Sequence, residues 1–143
     1  MTEWHKELEK EAVKTKEIKL PSGRVYSFPD AKWTDWGAAT NRTAICNYPV
    51  QGFATADLLP IALVELDKVM RKLRMESVIC NTVHDSIVLD VHPDEKDQCI
   101  KVLSEAMLSI SDGSKARYGL EYDMPIGIEL KIGNNWLDLH EIQ

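Results

Sequence analysis

The sequence predicts an α+β fold in which an antiparallel β-hairpin and further short strands pack against two long helices. Two segments, at about 52–74 and 94–110, repeat apolar residues at helical spacing. Between them, two runs rich in Val and Ile flank the short polar break His84-Asp85-Ser86. This arrangement is typical of two antiparallel strands joined by a tight turn. Helices and antiparallel strands in separate stretches of sequence favour the α+β class.

The N-terminal third predicts three local elements. Residues 3–16 have a thin apolar stripe among charges spaced for i,i+4 pairs, which indicates a surface helix. Two short strand-like runs flank Pro21-Ser22-Gly23, whose turn chemistry predicts a β-hairpin over about 17–28. Residues 29–40 are polar and aromatic without a clean period, and we expect a loop there.

The middle of the chain predicts an extended run followed by the first long helix. Residues 43–50 are expected to be extended and to end at Pro49. Apolar side chains then recur at helical spacing over 52–74, opposite a charged side. Pro60 lies inside this segment and removes a backbone hydrogen bond, so we expect a kink or a late helix start there.

The C-terminal third predicts a second helix, a strand and a short tail. The helix begins after Pro93, with acidic residues in its first turn. It is expected to end near Asp112-Gly113, with a loop through Tyr118. In residues 124–133, apolar side chains occupy every second position, which predicts a half-buried strand. The tail beyond this strand is expected to dock through Trp136.

Composition and length predict one globular domain over 1–143. Hydrophobic residues make up 44% of the 143 positions and charged residues 28%, close to the averages of globular proteins. The three cysteines lack a CxxC pair and therefore argue against a disulfide framework or a thiolate zinc site. No stretch is apolar enough to span a membrane, and the first residues are too charged for a signal peptide, so we expect a cytoplasmic protein with no membrane contact.

The charge argues against a self-sufficient nucleic-acid-binding protein. Lys and Arg number 17 against 23 Asp and Glu, which gives a net charge of −6, whereas a phosphate-binding surface is usually basic. The first 46 residues hold 8 basic and 7 acidic side chains, and the remainder holds 9 and 16. The acidic part of the chain also contains the polar break between the two predicted strands.

That break, His84-Asp85-Ser86, is the most informative polar site in the sequence. A carboxylate at the tip of a hairpin of apolar strands stands on a rigid, exposed support, which suits a hard divalent cation such as Mg²⁺. Alternatively, these residues supply only the chemistry of the turn. The spacing alone leaves both interpretations open.

A second motif, Asn47-Tyr48-Pro49-Val50-Gln51-Gly52, changes the interpretation of the first. Its pattern N-x-P-x-Q-G precedes a long helix, a V-H-D between strands, a further helix and a strand ending in G-x-N-W. This order resembles the C-terminal part of the palm of family A DNA polymerases, over about 21–140. The helix and hairpin within 1–40 resemble the segment that follows the fingers in phage members of that family.

The resemblance implies a nucleotidyl-transfer centre with two Mg²⁺ ions, which act together in in-line phosphoryl displacement. By this match, Asp85 is one of two metal-binding aspartates, and His84 lies beside the primer terminus. Asn47 and Gln51 match residues that approach the minor groove of the primer–template, where carboxamides can probe acceptors common to all correct pairs.

Two arginines are candidates for contacts with the DNA backbone. They are Arg24 and Arg42, and the alternative for each is an ordinary solvated side chain. The stretch before the N-x-P-x-Q-G motif fits the usual arginine of the family only with an offset of one residue, which bears on Arg42.

Several departures from the family pattern limit what the chain can do alone. Ser86 stands where the family usually has Glu, and Asp90 lies too far along its strand to share an ion with Asp85. The first metal aspartate, in a D-Y-S-x-I-E type motif, and the fingers helix R-x-x-x-K do not occur in this sequence. The KARYG run beginning at Lys115 has neither the spacing nor the position of the fingers motif. The isolated chain is therefore expected not to polymerise DNA.

Because the chain begins with Met1 where the palm resumes after the fingers, the resemblance predicts the C-terminal piece of a split, phage-like polymerase. An N-terminal fragment carrying the fingers would complete the two-Mg²⁺ site, and primer–template DNA and dNTP would be the other partners. The location would be the cytoplasm of the host cell if a phage encodes it. Apolar surface left uncovered would make the chain poorly soluble or self-associating on its own.

Two other interpretations remain. The chain could be a non-catalytic DNA-binding or regulatory module derived from a palm. It could also be an α+β interaction domain in which His84 and Asp85 only form a turn.

Overall fold

The structure, a computed structural model that describes residues 2–142, confirms the α+β class. Three antiparallel two-stranded sheets, β1–β2, β3–β4 and β5–β6, alternate with the helices. In chain order the elements are α1 (Thr2–Thr15), β1 (Glu17–Lys19), β2 (Val25–Ser27), α2 (Arg42–Gly52), a π-helical stretch (Phe53–Leu58), α3 (Leu59–Leu73), β3 (Val78–Val83), β4 (Ser86–Asp90), a 3₁₀ turn (Pro93–Glu95), α4 (Lys96–Leu108), α5 (Ile110–Tyr118), β5 (Leu130–Ile132) and β6 (His140–Ile142).

The chain forms two compact units, Met1–Asp57 (unit 1) and Leu58–Gln143 (unit 2). The single domain over 1–143 stays a prediction. In none of the helices within residues 2–142 do length and apolar character reach what a membrane crossing needs.

In unit 1, the predicted helix over 3–16 and the hairpin over 17–28 are confirmed as α1 and β1–β2. Leu8 and Ala12, one helical turn apart, bury the inner side of α1, and Ile18 projects from β1 into the same core. The core cluster consists of Leu8, Ala12, Ile18, Phe28, Ala31, Ala39 and Ile45. The loop predicted over 29–40 is also confirmed, with one isolated bridge between Trp33 and Ala39.

The extended run predicted over 43–50 is wrong, because these residues belong to α2. Ile45, Cys46 and Pro49 are buried at i, i+1 and i+4, so a helix turns all three toward the core. Pro49 has no N–H and cannot bond the carbonyl of Ile45, a loss normally costly inside a helix. Burial of this face, including a fully buried Ile45, outweighs that loss.

The helix predicted over 52–74 is divided in two. Phe53–Leu58 is π-helical, and α3 begins at Leu59 with Pro60 in its first turn. Pro60 has no N–H to donate to the preceding turn, and the π-helical stretch directly before it is where the regular α-helical hydrogen bonding is interrupted. The regular α-helix thus begins late, at Leu59, but the chain before it is already helical, so the predicted late start holds only for the α-helical part.

In unit 2, α3 and α4 pack against each other and against the β3–β4 hairpin. Their shared core contains Leu66, Met70, Val102 and Ala106, with half-buried residues of the hairpin packed onto it. The second long helix ends at Leu108 rather than near Asp112-Gly113.

The predicted loop through Tyr118 is wrong, because α5 occupies residues 110–118. Ile110 and Ser114 are buried one turn apart on this helix. Gly113 lies so close to α3 that a Cβ there would be 2.3 Å from Cγ2 of Ile61. Glycine, a poor helix former, is thus used where two helices approach closely.

The strand predicted over 124–133 is reduced to β5. Ile126 and Ile128 keep the alternation and are half-buried, but among the described residues the ladder covers only Leu130–Ile132, paired with β6. Trp136 is 67% exposed, so the expectation that the tail docks through this side chain is wrong.

Candidate active site

The tip of the β3–β4 hairpin carries the two predicted catalytic residues. β3 and β4 are antiparallel, and the pairing of Val83 with Ser86 closes a two-residue turn formed by His84 and Asp85. Both turn side chains are exposed. The Ser86 hydroxyl donates a hydrogen bond to the Val83 carbonyl over 2.8 Å. The predicted strands and turn are confirmed, and the Asp85 carboxylate stands at the end of a braced hairpin.

His84 has a backbone φ of 55°, in the left-handed region that favours glycine. Two-residue hairpin turns need such a positive φ, and their ordinary residues there are Gly, Asn or Asp. A Cβ in this region is strained by about 1–2 kcal/mol. The turn therefore holds an imidazole at a position where a smaller residue would fold more easily.

We expect His84→Gly to raise the free energy of unfolding by up to about 1 kcal/mol, because it relieves this strain. His84→Ala is the matched control, since it removes the imidazole but keeps the Cβ, and it should bring no gain. Urea denaturation of both variants measures the difference. Equal stabilities of the two variants would contradict a strained turn.

The root of the hairpin is fixed by a carboxylate. Glu95 accepts hydrogen bonds from the hydroxyl of Ser77 at 2.6 Å and from the N–H groups of Glu76 and Ser77, both at 2.9 Å. These bonds, that of the Ser77 hydroxyl foremost, lower the pKa of Glu95. The N–H of His92 donates to the same hydroxyl at 2.9 Å. Both ends of the hairpin are thereby tied to the start of the 3₁₀ turn and α4.

A register shift divides the hairpin along its length. It lies in β3 between Ile79 and Asn81, so that Cys80 is the extra residue of a bulge. Before the bulge, Ile79 packs with the core of unit 2. Beyond it, β3 is exposed as far as the turn. The tip thus projects from a hairpin that is anchored at its root.

The exposed carboxylate of Asp85 could supply part of a magnesium site. Mg²⁺ is held by one or two carboxylates together with water or substrate phosphates, and exposed Asp85 can supply one such ligand. Residues 2–142 contain no cluster of three His, Cys, Asp or Glu side chains able to hold a metal. Asp90 pairs with Val78, at the opposite end of the hairpin from the turn. A magnesium ion at Asp85 would therefore need further ligands from outside the described residues.

The start and the outer face of α2, in unit 1, carry three other predicted site residues. Asn47 and Gln51 are exposed and one turn apart, opposite the buried face of the helix. They line an open groove of about 510 Å³ together with Arg42 and Tyr48. The groove lining is Asn41, Arg42, Thr43, Ala44, Asn47, Tyr48 and Gln51. The lining offers amide and guanidinium donors on one rigid helix.

Both predicted arginines are held by buried carboxylates of unit 1. Arg42 Nε lies 3.0 Å from Oε1 of Glu9, and Arg24 Nη2 lies 2.8 Å from Oδ1 of Asp57. The arginine side chains are 52% and 43% exposed, whereas the carboxylates are 4% and 7% exposed. Arg24 does not belong to the groove lining. Each arginine therefore has an internal structural contact in addition to any role in binding.

Sequence reasoning missed both carboxylates. Glu9 lies among the many charges of α1, and the available signal was its place on the face that Leu8 and Ala12 bury. Asp57 follows the N-x-P-x-Q-G motif, and its partner Arg24 is 33 positions away. Pairs this distant leave no periodic pattern in the sequence.

Asp57 predicts acid sensitivity of unit 1. Burial alone would raise the pKa of this carboxyl, but hydrogen bonds from Arg24 and Ser22 and the charge of Arg24 lower it overall. A lowered pKa in the folded state stabilises the fold above the ordinary pKa of about 3.9, and this contribution is lost as the pH falls below it.

We therefore expect the unfolding free energy of the unaltered chain to fall between pH 5 and pH 3 more steeply than that of Asp57→Asn. Urea titrations followed by tryptophan fluorescence measure it, since Trp4, Trp33 and Trp36 lie in unit 1. Parallel pH profiles for the two proteins would show that Asp57 is not linked to folding.

Aromatic contacts join the β1–β2 hairpin to the motif helix. The ring of Tyr26 lies 5.6 Å from that of Tyr48, and the ring of Phe28 lies 6.2 Å from Tyr48. Tyr26 also covers Gly52, where an added Cβ would be 1.7 Å from its Oη. The glycine of N-x-P-x-Q-G thus allows the hairpin to rest on the end of α2.

Comparisons with known proteins point to one family. The sequence model of DNA polymerase family A matches residues 1–138. The chain is 30% identical over 143 residues to a DNA polymerase of Bacillus phage SP01, covering 99% of this chain and 15% of that protein. It is 28% identical over 136 residues to DNA polymerase I of Aquifex aeolicus, covering 94% of this chain and 21% of that protein.

A solved structure has a similar fold. The POL domain of Pol1 from M. smegmatis, in complex with DNA primer-template and dNTP, matches with a TM-score of 0.65 at 22% identity. The match covers 75% of this chain and 19% of that one. The chain thus spans only about a fifth or less of the length of these proteins.

Proposed function

This chain belongs to DNA polymerase family A, and from that premise we propose that it is the C-terminal palm portion of a DNA-directed DNA polymerase. It would supply one metal-binding aspartate and contacts to the primer–template. The remaining catalytic parts would come from a separate N-terminal fragment that carries the fingers. Its location would be the cytoplasm, that of the host if a phage encodes it.

The observation that carries this proposal is the placement of Asp85 in a chain of this family. Its carboxylate is exposed at the tip of a hairpin whose root is fixed by Glu95. A rigid support and a free end are what a shared metal site requires, because a second chain must reach the same ion.

Asp85 would act as the ligand that this chain contributes to a two-Mg²⁺ site. When bound, such ions activate the attacking hydroxyl and stabilise the charge that develops on the transferred phosphoryl group. His84 would hold its imidazole beside the primer terminus. Ser86 would add no second acid, since it carries a hydroxyl in place of a carboxylate, and that hydroxyl donates to the carbonyl of Val83.

The groove face of α2 would hold the primer–template. Asn47 and Gln51 would donate to the acceptors that all correct base pairs present in the minor groove. Arg42 and Arg24 would contact backbone phosphates through their guanidinium groups. Unit 1 contains as many basic as acidic side chains, so most positive charge for the duplex would come from the partner fragment.

Primer extension in a reconstituted enzyme tests the proposal. The chain is mixed with the SP01 polymerase from which the matching segment has been removed, and a chimera carries the segment in place as the covalent version. We expect Mg²⁺-dependent extension from the mixture or the chimera and none from either part alone. Extension by the chain alone would refute the split assignment, and an inactive chimera would leave a non-catalytic, palm-derived module as the better description.

A further inference from the structure

The carboxylate of Glu9 makes two contacts near the start of α2, the helix whose groove face is proposed to hold the DNA. Its Oε1 lies 3.0 Å from Nε of Arg42, and its Oε2 accepts the N–H of Ala39 at 2.7 Å. The Glu9 side chain is 4% exposed. One buried acid therefore holds both the end of the loop before α2 and the first residue of that helix.

A buried charge at this place needs a reason beyond stability. Removing a carboxylate from water costs free energy that its partners repay only in part, so such pairs are weak evidence of stabilisation. This pair, however, fixes the orientation of a planar group. The hydrogen bond at Nε restricts rotation of the Arg42 side chain. Its Nη groups have no partner among the described residues.

We infer that Glu9 is a positioning residue that orients Arg42 toward a backbone phosphate of the primer–template. The inference rests on the proposed function, because it takes the groove face of α2 to be the DNA face. Arg42 lines this groove with Asn47 and Gln51 and is half-exposed there. An arginine fixed before the duplex arrives loses less side-chain entropy on binding.

For the substitution Glu9→Gln, a positioning role and a purely electrostatic role predict opposite changes in DNA affinity. Glu9→Gln removes one negative charge beside the face, and electrostatics alone would then tighten DNA binding. If Glu9 orients Arg42, the same substitution releases the guanidinium, and we expect binding to weaken about two- to tenfold. Glutamine keeps the size of the side chain and one acceptor oxygen, so we expect the fold to persist, and urea denaturation checks this directly.

The experiment measures binding of a fluorescent primer–template duplex to the chimera, in which the rest of the polymerase supplies most of the positive charge, by anisotropy at several salt concentrations. The variants are Glu9→Gln, Arg42→Gln and the double variant, with Glu11→Gln as the matched control. Glu11 is an exposed acid on the same helix, so it gives the same charge change without the contact to Arg42. We expect Glu9→Gln to weaken binding, Glu11→Gln not to, and Glu9→Gln to add nothing once Arg42 is replaced.

A phosphate contact of Arg42 should also appear in the salt dependence. Arg42→Gln is expected to reduce the slope of log affinity against log salt by about one. Equal or tighter binding by Glu9→Gln, with Arg42→Gln still weakened, would overturn the inference and leave the proposed function intact. Undiminished binding by Arg42→Gln would also overturn the inference. Absence of duplex binding by the unaltered chimera would overturn the proposed function and, with it, the inference.

Discussion

Replacing Asp85 by alanine is expected to reduce primer extension by the reconstituted polymerase or chimera by at least about 10²- to 10³-fold, the usual loss when one charge-stabilising group is removed from a catalytic centre. In the proposed centre, this chain contributes a single carboxylate at the turn, since Ser86 provides none. No neighbouring acid on the hairpin can therefore compensate. The rate of single-nucleotide addition at saturating primer–template isolates this effect from DNA affinity.

Asp90→Ala is the matched control for this substitution. Asp90 is an exposed aspartate on the same hairpin, but it pairs with Val78 at the end away from the turn. Both substitutions replace an exposed acid and should change the unfolding free energy by no more than about 0.5 kcal/mol. Full activity of Asp85→Ala, or equal losses for the two variants, would remove the metal-binding role and favour a non-catalytic module.

The elements predicted correctly from the sequence are those that local patterns determine. The β3–β4 hairpin follows from two β-branched runs on either side of a polar break, and its turn at His84 and Asp85 was found at the right residues. The helix α1 and the β1–β2 hairpin follow in the same way from periodicity and turn chemistry. In these cases short-range signals and tertiary packing agree.

The elements predicted incorrectly are those that distant contacts determine. A proline in residues 43–50 suggested an extended run, yet burial of Ile45 against α1 and the hairpin makes this segment helical. Gly113 suggested a helix end, but its missing side chain serves the contact with Ile61 of α3. Similarly, β5 is short because its length depends on β6 rather than on its own alternation.

The same distinction applies to the candidate site. Asn47 and Gln51 were predicted as a pair from the resemblance of their motif, although the segment was expected to be extended, and in the helix α2 they do share a groove. The acids that hold the arginines could not be predicted from the sequence. Glu9 and Arg42, for example, are 33 residues apart, and only the fold brings them together. Exposed candidate residues within one motif could thus be grouped from the sequence, whereas the buried acids that contact the arginines could not.

Gly52→Ala is expected to lower the unfolding free energy of the chain by about 1–2 kcal/mol. Alanine is the better helix former by up to about 1 kcal/mol, but its Cβ would be 1.7 Å from Oη and 2.8 Å from Cζ of Tyr26. The ring cannot move without disturbing its contact with Tyr48. Overpacking of this kind typically costs 1–3 kcal/mol, and the hairpin would be pushed away from the helix that carries Asn47 and Gln51.

A double-mutant cycle with Tyr26→Ala separates this clash from other effects of the substitution. Once the ring is absent, Gly52→Ala should stabilise the chain, because the helix propensity of alanine is then unopposed. Gly127→Ala is the control, since nothing lies within 4 Å of a Cβ at that position. If Gly52→Ala destabilises the chain equally with and without Tyr26, the glycine is required for some reason other than the approach of the hairpin, and the packing of β1–β2 on α2 does not depend on it.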